Sequence, residues 1–270
     1  MIVHDYYLSE TNLNSGVNDQ ELGIEVGRKK KKIGCTDKNY NQFYPLKDDL
    51  QSLPQNSTLI KISFTLKKPY TSKDEGEFHI IDGRIFENPI IRDKFLGLAM
   101  VRPSTWKGHL RFSAEKVNKY DDKKKREIIR RLFGSEAGEE NALKGILYFF
   151  PTFFEKDAEK DVITPLNRKT RTPVGGKSPI NLEVMKPEQK GDFYLLYFPY
   201  PKGEESEIKE DLRFLFKALG LMFYTYGFSA KKTSNFGVIK ESLDEGKLWT
   251  KSNGEIKEKD FLNLDDLTVE

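Results

Sequence analysis

The stretch Thr58-Leu59-Ile60-Lys61-Ile62-Ser63-Phe64-Thr65-Leu66-Lys67 alternates without a break, with Ile60, Ile62, Phe64 and Leu66 on one side and Lys61, Ser63, Thr65 and Lys67 on the other. A period of two is the repeat of a strand with one buried face, so this segment reads as the first strand of a core. Residues 1–57 before it are rich in Asn, Asp, Lys and Tyr, carry the run Arg28-Lys29-Lys30-Lys31-Lys32 and have only weak periodicity; they read as an N-terminal extension. Residues 68–102 after it mix acids, glycines and prolines too irregularly for one helix and read as a long inserted loop of functional character.

Further along, the period changes. After Pro103, Ser104 can cap a helix in which Trp106, Leu110, Ala114 and Val117 recur at steps of four and three. Asp122 opens a second helical stretch with Ile128, Ile129, Leu132 and Phe133 on one side, and Gly134 ends it. Leu143 to Phe150 reads as a buried strand. Residues 152–191 hold Pro165, Pro173, Gly175, Gly176, Pro179 and Pro187 among basic residues, which suits a hairpin or loop outside the core. Phe193 to Phe198 returns to strand. A helix follows Ser206, with Ile208, Leu212, Leu215, Phe216, Leu219 and Met222 on one face, and Phe236 to Lys240 supplies a final strand. The order strand, helix, strand, strand, helix, strand predicts an α+β, ferredoxin-like (RRM-like) βαββαβ core over 58–241. Insertions fall at 68–102 and 152–191, and 242–270 forms a C-terminal acidic tail.

Composition limits the function classes. Charged residues make up 32% and aromatic residues 12% of the 270, too aromatic for a chain disordered along its length. No apolar run approaches the roughly 20 residues of a membrane helix, and the N-terminus lacks a basic region followed by an apolar stretch, so a cytoplasmic protein with no membrane partner is expected. Cys35 is the single cysteine, which leaves no internal disulfide and no cysteine-based metal site. Net charge is only +3, yet Arg102 to Arg131 holds eleven Lys/Arg against four acids. Residues 160–180 hold five against one, whereas 255–270 holds six acids and two lysines. Cations concentrated in particular segments suit a polyanionic partner; a solvated helix face is the plainer explanation of the same run.

Glu87-Asn88-Pro89-Ile90-Ile91-Arg92-Asp93, followed by Val101-Arg102-Pro103-Ser104-Thr105-Trp106-Lys107-Gly108-His109-Leu110-Arg111, is the most informative motif. It resembles the signature of the RAMP superfamily, in which an acidic residue, a small residue and Pro-Val-Ile lead into a Pro-Gly-Ser-Ser-x-Lys-Gly-x-x-Arg element opening the first helix. Thr105 stands for the second serine, and the glycine after the proline is absent. Physically, a helix N-terminus with free amides, the Ser104 hydroxyl and the cations Lys107 and Arg111 is a phosphate seat. Arg131-Leu132-Phe133-Gly134-Ser135 resembles the family's Leu-Phe-Gly turn. Lys231-Lys232-Thr233-Ser234-Asn235-Phe236-Gly237 resembles its glycine-rich loop, with Asn235 where glycine is usual; Asn tolerates a positive φ. Gly175-Gly176-Lys177-Ser178 looks like a phosphate-binding loop only superficially, because Arg171 occupies the first required glycine position.

The resemblance covers residues 58–240. It implies a backbone subunit of a type III CRISPR effector complex that holds guide RNA and engages complementary target RNA beside other effector subunits. It implies a thumb-like hairpin carrying Arg168, Lys169 and Arg171, with Leu166 or Val174 as an apolar wedge, and RNA contacts from Lys231, Lys232, Thr233 and Ser234. In target-cleaving members an aspartate precedes the Pro-Val-Ile segment; Glu87 stands there, with Asp82 close enough to substitute. A carboxylate there could orient Mg2+ or assist the attacking 2′-hydroxyl, whereas in a non-cutting subunit both acids are ordinary loop residues. Outside that case no metal or cofactor is expected, since His4, His79 and His109 are too scattered for a cluster. Two other readings compete: a stand-alone RAMP endoribonuclease processing guide precursor with His79 as acid or base, and a ferredoxin-like adaptor whose charge serves protein contacts. Co-purification separates the three: a backbone subunit carries small RNA of uniform length and sister subunits, a processing enzyme cuts precursor alone, and an adaptor carries no RNA.

Overall fold

The alternating stretch becomes β1 (Thr58–Thr65), and it lies at the centre of a five-stranded sheet. The computed structural model describes residues 40–267 apart from 73–78, 82–83, 87–89, 94–95, 137, 140–141, 168, 171, 177, 201–203 and 232–235, with backbone only for 79–81 and 84–86. Following β1 come β2 (His79–Ile81), β3 (Arg84–Phe86), β4 (Met100–Val101), α1 (Pro103–Glu115) and α2 (Asp122–Phe133). Then come β5 (Leu147–Phe149), β6 (Thr152–Phe153), β7 (Glu159–Ile163), β8 (Ile180–Val184), β9 (Lys190–Tyr197), α3 (Glu205–Gly220), β10 (Glu245–Ser252) and β11 (Glu255–Asp260). Sheet order is β11-β10-β1-β9-β5 with every neighbouring pair antiparallel. Without the β11 edge this is the fourth, first, third and second strand of a ferredoxin-like βαββαβ core.

The last strand differs from the expectation. Residues 236–240 hold only an isolated bridge, Leu66 to Ile239, and the strand beside β1 is Glu245–Ser252. Lys247, Thr250, Ser252 and the acids of 255–260 disguise that hairpin as a solvated tail, because β11 is an edge strand with exposed Glu255, Glu258 and Asp260. The extension before residue 58 is likewise not separate from residue 40 onward, as its aromatic and leucine side chains pack on the sheet.

One face of the sheet is covered by all three helices. Ile60, Ile62 and Phe64 of β1 and Phe193 and Leu195 of β9 meet Trp106 and Leu110 of α1, Ile128 and Leu132 of α2, and Leu215 and Leu219 of α3, all buried. Trp106 is the hub: its ring centre lies 4.4 Å from Phe228, 4.8 Å from Phe193 and 5.7 Å from Phe223. Its indole N–H donates to Thr152 Oγ1 at 3.2 Å, so the polar edge of a buried ring is satisfied. Helix α2 is started by the Asp121 carboxylate, which accepts from the amides of Lys123 and Lys124 at 3.0 Å each and is held below the usual carboxylate range by those bonds.

The opposite face is polar along its middle and closed at its ends. Tyr44 stacks on Tyr194 at 4.4 Å, and Leu50 packs on Leu59 and Trp249. Between them Lys61 pairs with Glu245, Ser63 donates to Asp192, and Lys247 bridges Glu258 and Asp260 at 3.1 Å each. An RRM-like sheet binds RNA through exposed rings on this face. Here residues 40–53 and internal ion pairs occupy it. Among the described residues no helix is long and apolar enough to cross a membrane.

Candidate nucleic-acid interface

Helix α1 begins where β4 ends. Arg102 takes the cap position in extended conformation without a side-chain cap, and Pro103 is the first helical residue, so Ser104 lies inside the first turn instead of capping it. Pro103 has no N–H to leave unpaired; the next amides face outward without intrahelical acceptors. Ser104, Lys107 and Arg111 recur at steps of three and four and so share one face. Ser104 and Lys107 are exposed, and Arg111 is half-buried with its guanidinium 3.2 Å from exposed Glu136. That surface pair is weak enough for a phosphate to displace it.

Part of the expected basic run is internally committed. Arg131 donates to Asp211 at 2.6 and 3.2 Å, Lys124 pairs with Glu210 at 2.5 Å and Arg130 with Glu139 at 3.3 Å. Asp211 also accepts from the Tyr197 hydroxyl at 3.4 Å; burial pushes its carboxyl up, and the Arg131 hydrogen bonds oppose that rise.

The insertion at 152–191 is a hairpin, β7 paired with β8, whose tip is closed by its own hydrogen bonds. The Asn167 side chain accepts from the amides of Lys169 at 2.9 Å and Thr170 at 3.3 Å, and Leu166 bridges Pro173. Lys169 is exposed; Arg168 and Arg171 lie outside the described residues. Apolar side chains stand out along the hairpin, with Val162 53% and Leu166 49% exposed, while Val174 is half-buried. Gly175-Gly176 leads into β8 and not a helix, which removes the phosphate-loop alternative.

The loop after α3 is pinched at its base by two glycines. Gly227 (φ +70°) and Gly237 (φ +78°) bring 227–229 and 236–238 so close that a Cβ on Gly227 would sit 2.2 Å from Phe236 O. Lys231 is exposed on this loop; Lys232, Thr233 and Ser234 lie outside the described residues, as do Asp82 and Glu87.

A buried polar cluster that sequence reasoning missed ties these elements together. Glu183 at the base of β8 is 2% exposed; its carboxylate accepts from Arg92 Nη2 and from the Ile90 amide, each at 3.0 Å. Thr71 Oγ1 donates to Glu183 O at 2.7 Å, and Ser229 Oγ donates to Thr71 O at 2.8 Å while accepting the Thr71 amide at 3.0 Å. Arg92 bridges Ala99, and Met100 of β4 donates to Ile91 O at 2.9 Å. The hairpin base, the loop leading to β4, the start of α1 and the pinched loop therefore share one foundation. The available signal was a charged Glu183 inside the apolar run Leu182-Glu183-Val184-Met185. Glu183 itself is closed off by its donors, and among the described residues no group of three or more His, Cys, Asp or Glu could hold a metal ion.

Residues 25–240 match the model of the RAMP superfamily. Among solved structures, a chain of the type III-B Cmr-beta complex bound to cognate target RNA is similar with a TM-score of 0.52 and 18% identity, over 89% of this chain and 80% of that one. A chain of the Csm3–Csm4 subcomplex of the type III-A CRISPR-Cas interference complex gives a TM-score of 0.48 and 16% identity, over 78% of this chain and 92% of that one. No curated protein matches the sequence.

Proposed function

Because this chain belongs to the RAMP superfamily, we propose that it is an RNA-binding backbone subunit of a type III CRISPR effector complex. It grips guide RNA across the start of α1, the β7–β8 hairpin and the 230–237 loop, and presents that RNA to a complementary target. The observation that carries this reading is the shared buried foundation of those elements at Thr71, Arg92, Glu183 and Ser229. It fixes a phosphate seat, a protruding apolar hairpin and a basic loop relative to one another, which RNA recognition by backbone and shape requires. The type III-B neighbour is described as bound to cognate target RNA, which supports RNA as a partner.

In this reading Lys107 and Arg111 meet phosphates, and exposed Val162 or Leu166 wedges against a base step. The chain's role is to hold RNA. For target cleavage the candidate acids are Asp82 and Glu87, and the longer Glu87 at the family's aspartate position favours a scaffold.

The test is Lys107→Ala with Arg111→Ala in the full chain, with co-purified RNA quantified and RNA affinity measured against salt. The expected result is less bound RNA and a log–log salt slope flattened by about 1.4, two single-strand phosphate contacts at about 0.7 each. Unchanged RNA content and slope would overturn the assignment.

A further inference from the structure

The other end of α1 borders a cleft of about 820 Å³. The 13 residues of the helix put its two ends about 20 Å apart, so this cleft is separate from the seat at Ser104. Its walls are the turn after α1, the last turns of α3, the π-helical turn Leu221–Tyr226 that continues α3, and the Leu264–Asp266 turn.

Four cations line it, Lys116, Lys119, Arg213 and Lys217, and Asp265 is the carboxylate among the described lining residues. None of the four forms an ion pair among the described residues. Rings behind the lining hold two of them: Lys116 lies 5.5 Å over Phe112, Lys217 lies 5.2 Å over Tyr120, and Phe112 meets the lining Tyr226 edge-on at 5.4 Å. Tyr224 and Tyr226 both line the cleft; the Tyr224 hydroxyl is held to Glu241 O at 2.9 Å, while Tyr226 makes no hydrogen bond through its hydroxyl among the described residues.

Helix dipoles explain only half of this charge. Lys116 caps α1 and Lys217 is in the last turn of α3, where cations complement the negative helix ends. Lys119 lies beyond α1, and Arg213 sits about two turns before the end of α3. Lys119 also holds a left-handed backbone, φ +71°, which a lysine adopts at a cost that glycine would avoid. The π-helical turn that carries Tyr224 and Tyr226 is a second local irregularity of the kind found at functional sites.

We propose that this cleft is a second nucleic-acid site, which takes a single-stranded segment with its phosphates on Lys116, Lys119, Arg213 and Lys217 and a base against Tyr226. Cations for the backbone and a ring for a base are the two parts that sequence-tolerant single-strand binding needs.

The experiment uses the full chain and a fluorescein-labelled 12-nucleotide oligouridylate, with affinity measured against salt. Lys116→Ala, Lys119→Ala, Arg213→Ala and Lys217→Ala combined should weaken binding by at least about tenfold and flatten the slope by about 3. An unchanged affinity and slope in a variant with wild-type thermal stability would overturn the cleft. So would displacement of the oligouridylate by a polyglutamate of equal charge at equal concentration, which would make the surface a seat for acidic protein. Lys119→Gly alone separates binding from folding: it should weaken RNA binding with an unchanged or raised Tm, whereas a lowered Tm with unchanged binding would remove Lys119 from the site. The cleft and the α1 start are tested independently. Loss in the fourfold variant with none in Lys107→Ala/Arg111→Ala keeps the cleft and removes the other seat, and the reverse removes the cleft alone.

Discussion

The two faces of the central sheet solve the same burial problem with opposite materials. The helix-covered face is apolar and aromatic, with Ile60, Ile62, Phe64, Phe193 and Leu195 locked around Trp106. The other face is a row of paired charges, Lys61 with Glu245 and Lys247 with Glu258 and Asp260, bounded by two small apolar clusters under residues 40–53. Stability should therefore be concentrated on the first face, while the second is closed rather than strongly held. The difference also bears on recognition. In the proposed function, a sheet face already filled by its own chain leaves nucleic-acid contacts to the helix ends and loops around the core.

The contrast is sharpest at its hubs. Trp106→Ala removes a fully buried ring that touches Phe64, Phe193, Phe223 and Phe228 and also leaves Thr152 Oγ1 without its indole donor. It should cost about 3–5 kcal/mol in denaturant unfolding. A cost under 1 kcal/mol would mean that the aromatic core does not hold the helices to the sheet.

Leu50→Ala tests the other face. Leu50 is 1% exposed but belongs to a satellite cluster at the rim with Leu59 and Trp249, where neighbours can collapse into the space. The loss should be about 2 kcal/mol, the low end for a buried leucine. A cost equal to that of Trp106→Ala would erase the distinction between a core and a cover.

The smallest effect is electrostatic and belongs to the charge row. Hydrogen bonds from Lys47 and Lys247 hold the Glu258 carboxyl down at about 2, below its ordinary 4.5. A folded pKa below the unfolded one gives stability that is present above pH 4.5 and is lost as pH falls toward 2. Glu258→Gln should thus lower the neutral-pH Tm slightly and converge with wild type as pH falls toward 2, which flattens the acid limb of its Tm–pH profile. A wild-type acid limb in the variant would show that the Lys47–Glu258–Lys247 row contributes nothing to the closure.

Much of the site was readable in order but not in space. Ser104, Lys107 and Arg111 share a face because helical spacing puts them there, and the hairpin followed from prolines and glycines between two apolar strands. Glu183, Arg92, Thr71 and Ser229 lie 71 to 229 in the chain and become one hydrogen-bonded cluster only when three loops are folded together. The one local hint is Glu183 inside an apolar run; Thr71, Arg92 and Ser229 each look like surface polar residues, and nothing local says that they meet it.

By itself the sequence determined the ferredoxin-like order of elements, the central strand and the three helices, because periods of two and of about 3.6 are local properties of the chain. Tertiary structure decided the rest. It made strands of Glu245–Ser252 and Glu255–Asp260, where charge paired across the register replaces an apolar face. It committed Arg131 to the buried Asp211, and it paired Lys124 with Glu210 at the surface, so the excess of cations counted along the chain is smaller at the surface. It also closed the second sheet face with residues 40–53, because whether a Tyr or Leu on an aperiodic segment is buried depends on which partner, here Tyr194 or Trp249, the fold brings beneath it.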